Sequence, residues 1–121
     1  MTAPLPLKLK AQLYCGAEIA MGPGKAALLR AIAETGSISG AGRALGMSYR
    51  RAWLLVDTMN RCWSAPLVET LAGGGPGRGA RLSPLGAEIL AAYDALDARL
   101  ADAAAGPLLD AMTAALRPAP L

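Results

Sequence analysis

A chain of 121 residues fits one domain with a helical appendage and is long enough to bury a real core. Hydrophobic residues make up 54% of it, which excludes wholesale disorder; Phe is absent, so the core must rest on Ala, Leu, Ile, Val and Met. Net charge is only +3, but residues 22–82 carry eight basic and three acidic side chains, while residues 83–121 carry two and five.

The N-terminus, Met1-Thr2-Ala3-Pro4-Leu5-Pro6, lacks a cationic start followed by an apolar block, so no secretion signal is read there. No apolar run approaches the roughly 20 residues of a membrane-spanning helix, and a cytoplasmic protein is expected. From Leu5 to Met21 the chain reads as extended. Leu7, Leu9, Ala11 and Leu13 alternate with Lys8, Lys10, Gln12 and Tyr14, the period of a strand with one buried face. A turn at Gly16 leads into a second strand through Ala17, Ile19 and Met21, completing an N-terminal hairpin. Cys15 and Cys62 have no CxxC spacing and the chain has no His, so a metal site is not expected. Both are read as small, partly buried thiols in a reducing compartment.

Gly22-Pro23-Gly24 punctuates the chain, and Pro23 suits the first turn of a helix over Lys25–Thr35. That helix should bury Leu28, Leu29 and Ile32 and end at Gly36. Gly36 to Trp53 then reads as two helices joined by a tight turn. Ser37 or Ser39 can cap the first. Gly40, Ala41, Gly42 and Ala44 allow a second helix to approach closely, and Gly46 supplies the turn. Ser48 can cap the second helix, which runs to about Trp63 with Trp53 on its packed face.

In a helix-turn-helix the first turn of the second helix enters the major groove of DNA, and here that turn carries Ser48, Tyr49, Arg50 and Arg51. The arginines are placed for guanine O6 and N7 or for phosphate, and Tyr49 and Ser48 for a thymine methyl or the backbone. Lys25, Arg43, Arg78 and Arg81 are candidate phosphate contacts, Ser37 and Ser39 are further candidate DNA contacts, and the basic half of the chain coincides with the motif. An ordinary helical hairpin with a solvated basic face is the plain alternative. A second function reading is a winged-helix protein-interaction module without DNA binding, in which Arg50 and Arg51 form a solvated face and the acidic C-terminal helix offers a surface.

Leu67–Leu71 has a strand pattern, residues 72–79 form a glycine-rich loop, and Ala80–Leu82 returns as a second strand. Strand, loop and strand after a helix-turn-helix describe a wing, with Arg78 at its tip. The loop lacks the Gly-Lys-Ser/Thr ending of a P-loop. Ser83 caps and Pro84 starts a long helix on which Leu85, Ile89, Tyr93, Leu96 and Leu100 form an apolar stripe beside Glu88, Asp94 and Asp97. Gly106-Pro107 breaks it before a short amphipathic piece with Leu108, Leu109, Met112 and Leu116. The stripe outreaches a small domain and is assigned to a dimer interface. The fold class is mainly α with small β elements: residues 1–82 a DNA-binding domain, residues 83–121 a helical dimerisation segment. Without a His or a nucleophile–base pair, no enzyme is expected.

The chain resembles the N-terminal DNA-binding domain of the molybdate-responsive ModE family, a winged helix-turn-helix related to that of LysR-type regulators. The resemblance is carried by Gly36-Ser37-Ile38-Ser39, Ser48-Tyr49 with Ala52-Trp53, Met59-Asn60, Leu67-Val68-Glu69 with Gly73-Gly74, and Leu82-Ser83-Pro84-Leu85-Gly86. It runs from Leu7 to about Leu100. It implies homodimers on palindromic operators of molybdenum-uptake or molybdoenzyme genes. Fuller family members carry molybdate-binding β-modules after the long helix. The sequence ends at Leu121 with no strand-rich segment there, so no cofactor is expected and any link to molybdate would pass through a separate sensor protein.

Overall fold

A computed structural model describes residues 6–71 and 79–121. The expected wing loop with its tip residue Arg78 lies outside the described residues. Element order is β1 (Leu13–Cys15), β2 (Glu18–Met21), α1 (Pro23–Thr35), α2 (Ile38–Ala44), α3 (Tyr49–Cys62), β3 (Val68–Thr70), β4 (Ala80–Leu82), α4 (Pro84–Ala104) and α5 (Pro107–Ala114). The fold is mainly helical, with two separate antiparallel strand pairs, β1–β2 and β3–β4.

The N-terminal hairpin is shorter than the alternation predicts. Only Leu13–Cys15 pairs, because its partner β2 is itself four residues long, and Ala17 belongs to the turn. Leu7, Leu9 and Leu13 are exposed and, of the expected buried face, Ala11 alone packs against the core. Tyr14 faces Ile19 and Leu13 faces Met21, which leaves Ala20 as the extra residue of a bulge. The bulge breaks the two-residue period and lets both Ala20 and Met21 be buried. Cys15, expected to be partly buried, is exposed on this short strand, while Cys62 is half-buried. Burial pushes the Cys62 thiol up, and the Cys15 thiol within hydrogen-bonding reach adds to the shift.

The three central helices follow their local signals. Pro23 opens α1, and Gly36 closes it in the left-handed conformation with its N–H bonded to the Ile32 carbonyl. The Ser37 hydroxyl accepts from the Gly40 N–H at 2.9 Å and caps α2; that of Ser48 accepts from the Arg51 N–H at 3.1 Å and caps α3. Between them Gly46 takes a φ of 70°, which a residue without Cβ adopts at no steric cost. The core gathers Leu28, Leu29 and Ile32 of α1, Ile38 and Ala41 of α2, and Ala52, Val56 and Met59 of α3.

The β3–β4 pair is bound to this core through Leu67. Asn60 on α3 accepts from the Leu67 and Val68 N–H groups at 2.9 and 3.0 Å through Oδ1, and its Nδ2 donates to the Val68 carbonyl. The Leu67 carbonyl accepts from the Ser83 N–H at 2.8 Å, and its side chain is fully buried. Ser83 donates its hydroxyl proton to the Pro66 carbonyl and caps α4 by accepting from the Gly86 N–H. Gly86 lies so close to the Leu67 backbone that a Cβ there would overlap it. On the other side, the Ala80 N–H donates to the Gly36 carbonyl and ties β4 to the α1–α2 junction.

Packing continues across residue 82 into α4. Leu85, Ile89 and Leu90 lean on the core and Tyr93 is buried in it, its hydroxyl donating to the Ala11 carbonyl at 2.8 Å. Burial, with Asp97 and Asp94 nearby, raises the Tyr93 phenol further and keeps it a donor. Arg30 of α1 meets Asp94 of α4 at 2.8 Å, an exposed pair worth at most about 1 kcal/mol. Beyond Tyr93 the helix leaves the core, and α5 has no buried residue.

Gly86→Ala should destabilise the protein by at least about 1–3 kcal/mol, because the atom it would strike is backbone held from two sides. Gly24, in the first turn of α1, has open space around an added Cβ. Gly24→Ala should therefore be neutral or stabilising by up to about 1 kcal/mol. Urea unfolding of the two variants checks the contrast; equal midpoints would contradict the close approach.

Candidate nucleic-acid interface

The α2–turn–α3 unit positions most of the predicted contact residues. Gly42 makes the approach of α2 to α3 close: a Cβ there would stand 3.2 Å from the Met47 carbonyl oxygen and 3.3 Å from the Ala52 methyl. The Met47 N–H donates to the Gly42 carbonyl at 2.9 Å, closing the turn. Ala52, Val56 and Met59, at spacings of four and three, are the buried line of α3. Helical phase then turns Arg50, Leu54 and Arg61 outward, with Arg51 and Trp53 on the flanks of that face.

Trp53, expected on the packed face from its spacing of four after Tyr49 and three before Val56, is instead 41% exposed; Leu54 beside it is 53% exposed. Trp53 follows Ala52 by about 100° around the helix, and the tight α2–α3 contact leaves room for a methyl, not an indole, on the buried line. Tyr49, Arg50, Trp53 and Leu54 line one open cleft on the outward side. Sequence reasoning missed this pair. The available signal was the phase set by Ala52, Val56 and Met59, which puts Trp53 about 100° off the buried line.

The cations divide into paired and unpaired sets. Arg81 bonds to Glu69 at 3.0 Å, directly across the β3–β4 pair, and Arg61 to Asp57 at 3.0 Å one turn earlier on α3. Lys25, Arg43, Arg50 and Arg51 form no ion pair among the described residues. Lys25 and Arg51 line a shared depression beside Gly22, Pro23 and Gly24 at the start of α1. Arg43, Arg50 and Arg51 are exposed.

Of the predicted hydroxyl contacts, Ser37 and Ser48 spend an acceptor lone pair on their caps. Ser39 is half-buried in the first turn of α2. Tyr49 is half-buried and packs against the core, so its ring supports α3 from the cleft. Among the described residues there is no group of three or more His, Cys, Asp or Glu able to hold a metal ion, and no helix long and apolar enough to cross a membrane.

The stripe assigned to a dimer interface is split by the fold. Leu85, Ile89 and Tyr93 serve the core of their own domain, and only Leu96 and Leu100 are exposed. Tyr93, buried with its hydroxyl engaged, is not available to a partner. Leu96 lines a groove with Leu13 and Trp63, and on α5 Leu108, Met112 and Leu116 add further exposed apolar surface.

No protein-family model matches the chain. It is 48% identical over 81 residues to the molybdenum-pterin-binding protein MopB of Rhodobacter capsulatus, covering 67% of this chain and 30% of that one. It is 44% identical over 73 residues to the molybdenum transport protein ModE of Herbaspirillum seropedicae, covering 60% of this chain and 27% of that one. With the DNA-binding transcriptional dual regulator ModE of Escherichia coli (strain K12) it shares 37% identity over 92 residues, 76% of this chain and 33% of that one. The chain therefore spans about a third of the length of the curated relatives it matches. Over that span its homologues are ModE-type regulators and Mop proteins.

Proposed function

We propose that this chain is a DNA-binding module of the ModE family, a winged helix-turn-helix that binds a palindromic operator as a homodimer. The observation that carries the reading is the start of α3. A Ser48-capped helix presents Arg50 and Arg51, unpaired among the described residues, on a face turned away from the core. An exposed helix face of this kind fits the major groove, and free guanidinium groups there reach guanine edges or phosphates. Lys25, which shares a depression with Arg51, and Arg43, exposed on α2, add basic surface for phosphate contacts that fix register. The antiparallel β3–β4 pair, which follows α3 in the chain, supports the wing of this reading. The relatives named as molybdenum transport and ModE regulators support target genes concerned with molybdenum.

The exposed remainder of the α4 stripe supports dimerisation. Leu96 and Leu100 lie where α4 has left its own core, and a two-fold partner presenting the same residues removes them from water. Leu96 is 43% and Leu100 38% exposed, so covering that remainder contributes roughly 1 kcal/mol for each, less than half of a full burial. Two recognition helices related this way would meet half-sites about 34 Å apart, one turn of duplex.

The DNA-binding reading is tested by selecting genomic fragments with the purified chain and measuring affinity for the recovered sites. Arg50→Ala should lose about 1–3 kcal/mol on the selected site and less on random duplex. Equal losses on both would show that Arg50 touches phosphate only, and no salt-dependent binding to any fragment would overturn the reading. For the dimer, Leu96→Glu should shift the chain to monomer in sedimentation and weaken binding to the full palindrome far more than to a half-site. A monomeric unmodified chain at tens of micromolar would contradict it.

A further inference from the structure

The outward face of α3 carries apolar surface as well as charge, and the placing of that surface is informative. Trp53 and Leu54 are the large apolar residues that α3 leaves exposed, and they share their cleft with Tyr49 and Arg50. The Trp53 indole N–H makes no hydrogen bond among the described residues, and 41% of the residue is exposed. An exposed Trp–Leu patch on a helix is a site for an apolar occupant. The cation in it restricts what that occupant can be. Arg50 lines the cleft with no acidic partner among the described residues, so the complementary surface is anionic and yet offers apolar groups. Of the surfaces that meet both demands, the major groove of duplex DNA does so through the thymine methyl, which projects from the base edge between phosphate rows.

We infer that Trp53 and Leu54 are specificity-determining residues that read thymine methyl groups in the major groove, beside bases or phosphates held by Arg50. This rests on the DNA-binding reading above and adds to it a base preference that the arginines do not supply. Arg50 reaches toward guanine, whereas the Trp53–Leu54 patch rewards a methyl at a neighbouring step. Positions 50, 53 and 54 lie within one and a half turns of helix, so the two contacts would fall on adjacent base pairs.

The test uses the full chain and the tightest genomic site recovered by selection, synthesised with thymine or with deoxyuridine, which lacks only the methyl. Affinity should fall about fourfold for each contacted thymine replaced, the fold-change that corresponds to one methyl withdrawn from apolar contact. In Trp53→Ala, and to a smaller degree Leu54→Ala, the thymine and deoxyuridine duplexes should bind alike, while salt dependence is retained. Site-specific binding that ignores the replacement would overturn the inference and leave the DNA-binding reading standing. Undiminished thymine preference in Trp53→Ala would overturn it too. So would a shift to monomer in that variant, which would assign the patch to a contact between copies of the chain. Absence of binding to any duplex would remove the underlying reading as well, and so is told apart from the other results.

Discussion

The peptide unit of Leu67 is where α3, the β3–β4 pair and α4 are held to one another. Its N–H is taken by Asn60, its carbonyl by the Ser83 N–H, and its side chain is fully buried. Gly86 closes over it at a distance that excludes any Cβ. Each group is costly to leave unmade: a buried N–H without a partner loses roughly 1–3 kcal/mol. Because Asn60 and Ser83 satisfy several backbone groups at once, three elements adopt one relative placement. The orientation of α3 against the hairpin, on which the outward face depends, follows from that clasp.

This sorts the residues that carry the family resemblance by the work they do. Asn60, Leu67, Ser83 and Gly86 carry much of the resemblance, yet all four are structural and point into the molecule. Ser37 and Ser48 are helix caps. Arg50 and Leu54 on the outward face of α3, and Arg51 and Trp53 on its flanks, are exposed and are the ones the proposed function uses. Under that proposal a substitution in the first group acts through stability, and one in the second through recognition. The two Arg residues nearest the hairpin and the end of α3, Arg81 and Arg61, are already engaged by Glu69 and Asp57. Both pairs are exposed, so each contributes at most about 1 kcal/mol and could be exchanged for a phosphate.

Much of this was legible in the sequence wherever the deciding chemistry is local. Ser37, Ser48 and Ser83 each stand before a helix and cap it. Gly36 and Gly46 mark turns that need a positive φ, and β3 and β4 fall where the residue pattern places them. What was not legible depends on partners distant in sequence. The alternation of Leu7, Leu9 and Leu13 is genuine, but no strand long enough lies opposite, so those leucines stay exposed. Trp53 has the spacing from Tyr49 and Val56 of a packed residue; the close contact of Gly42 with Ala52 sets the phase of α3 and turns it out. On α4 the periodic stripe is continuous, yet nothing in a period says what covers it. The position of Ala11 and of α1 decides that Leu85, Ile89 and Tyr93 are covered at home and that Leu96 and Leu100 are not.

The central claim is that the outward face of α3 is the DNA-contacting surface, held in place by the Leu67 clasp. Amide chemical-shift mapping of the labelled chain, titrated with a duplex recovered by genomic selection, tests it most directly. The account predicts that the largest shifts fall between Gly46 and Leu54 and around Lys25, while the amides of Leu67, Val68 and Ser83 keep their bonded, slowly exchanging character. Shifts confined to the acidic helix α4 or to the β1–β2 turn, with α3 unmoved, would contradict it.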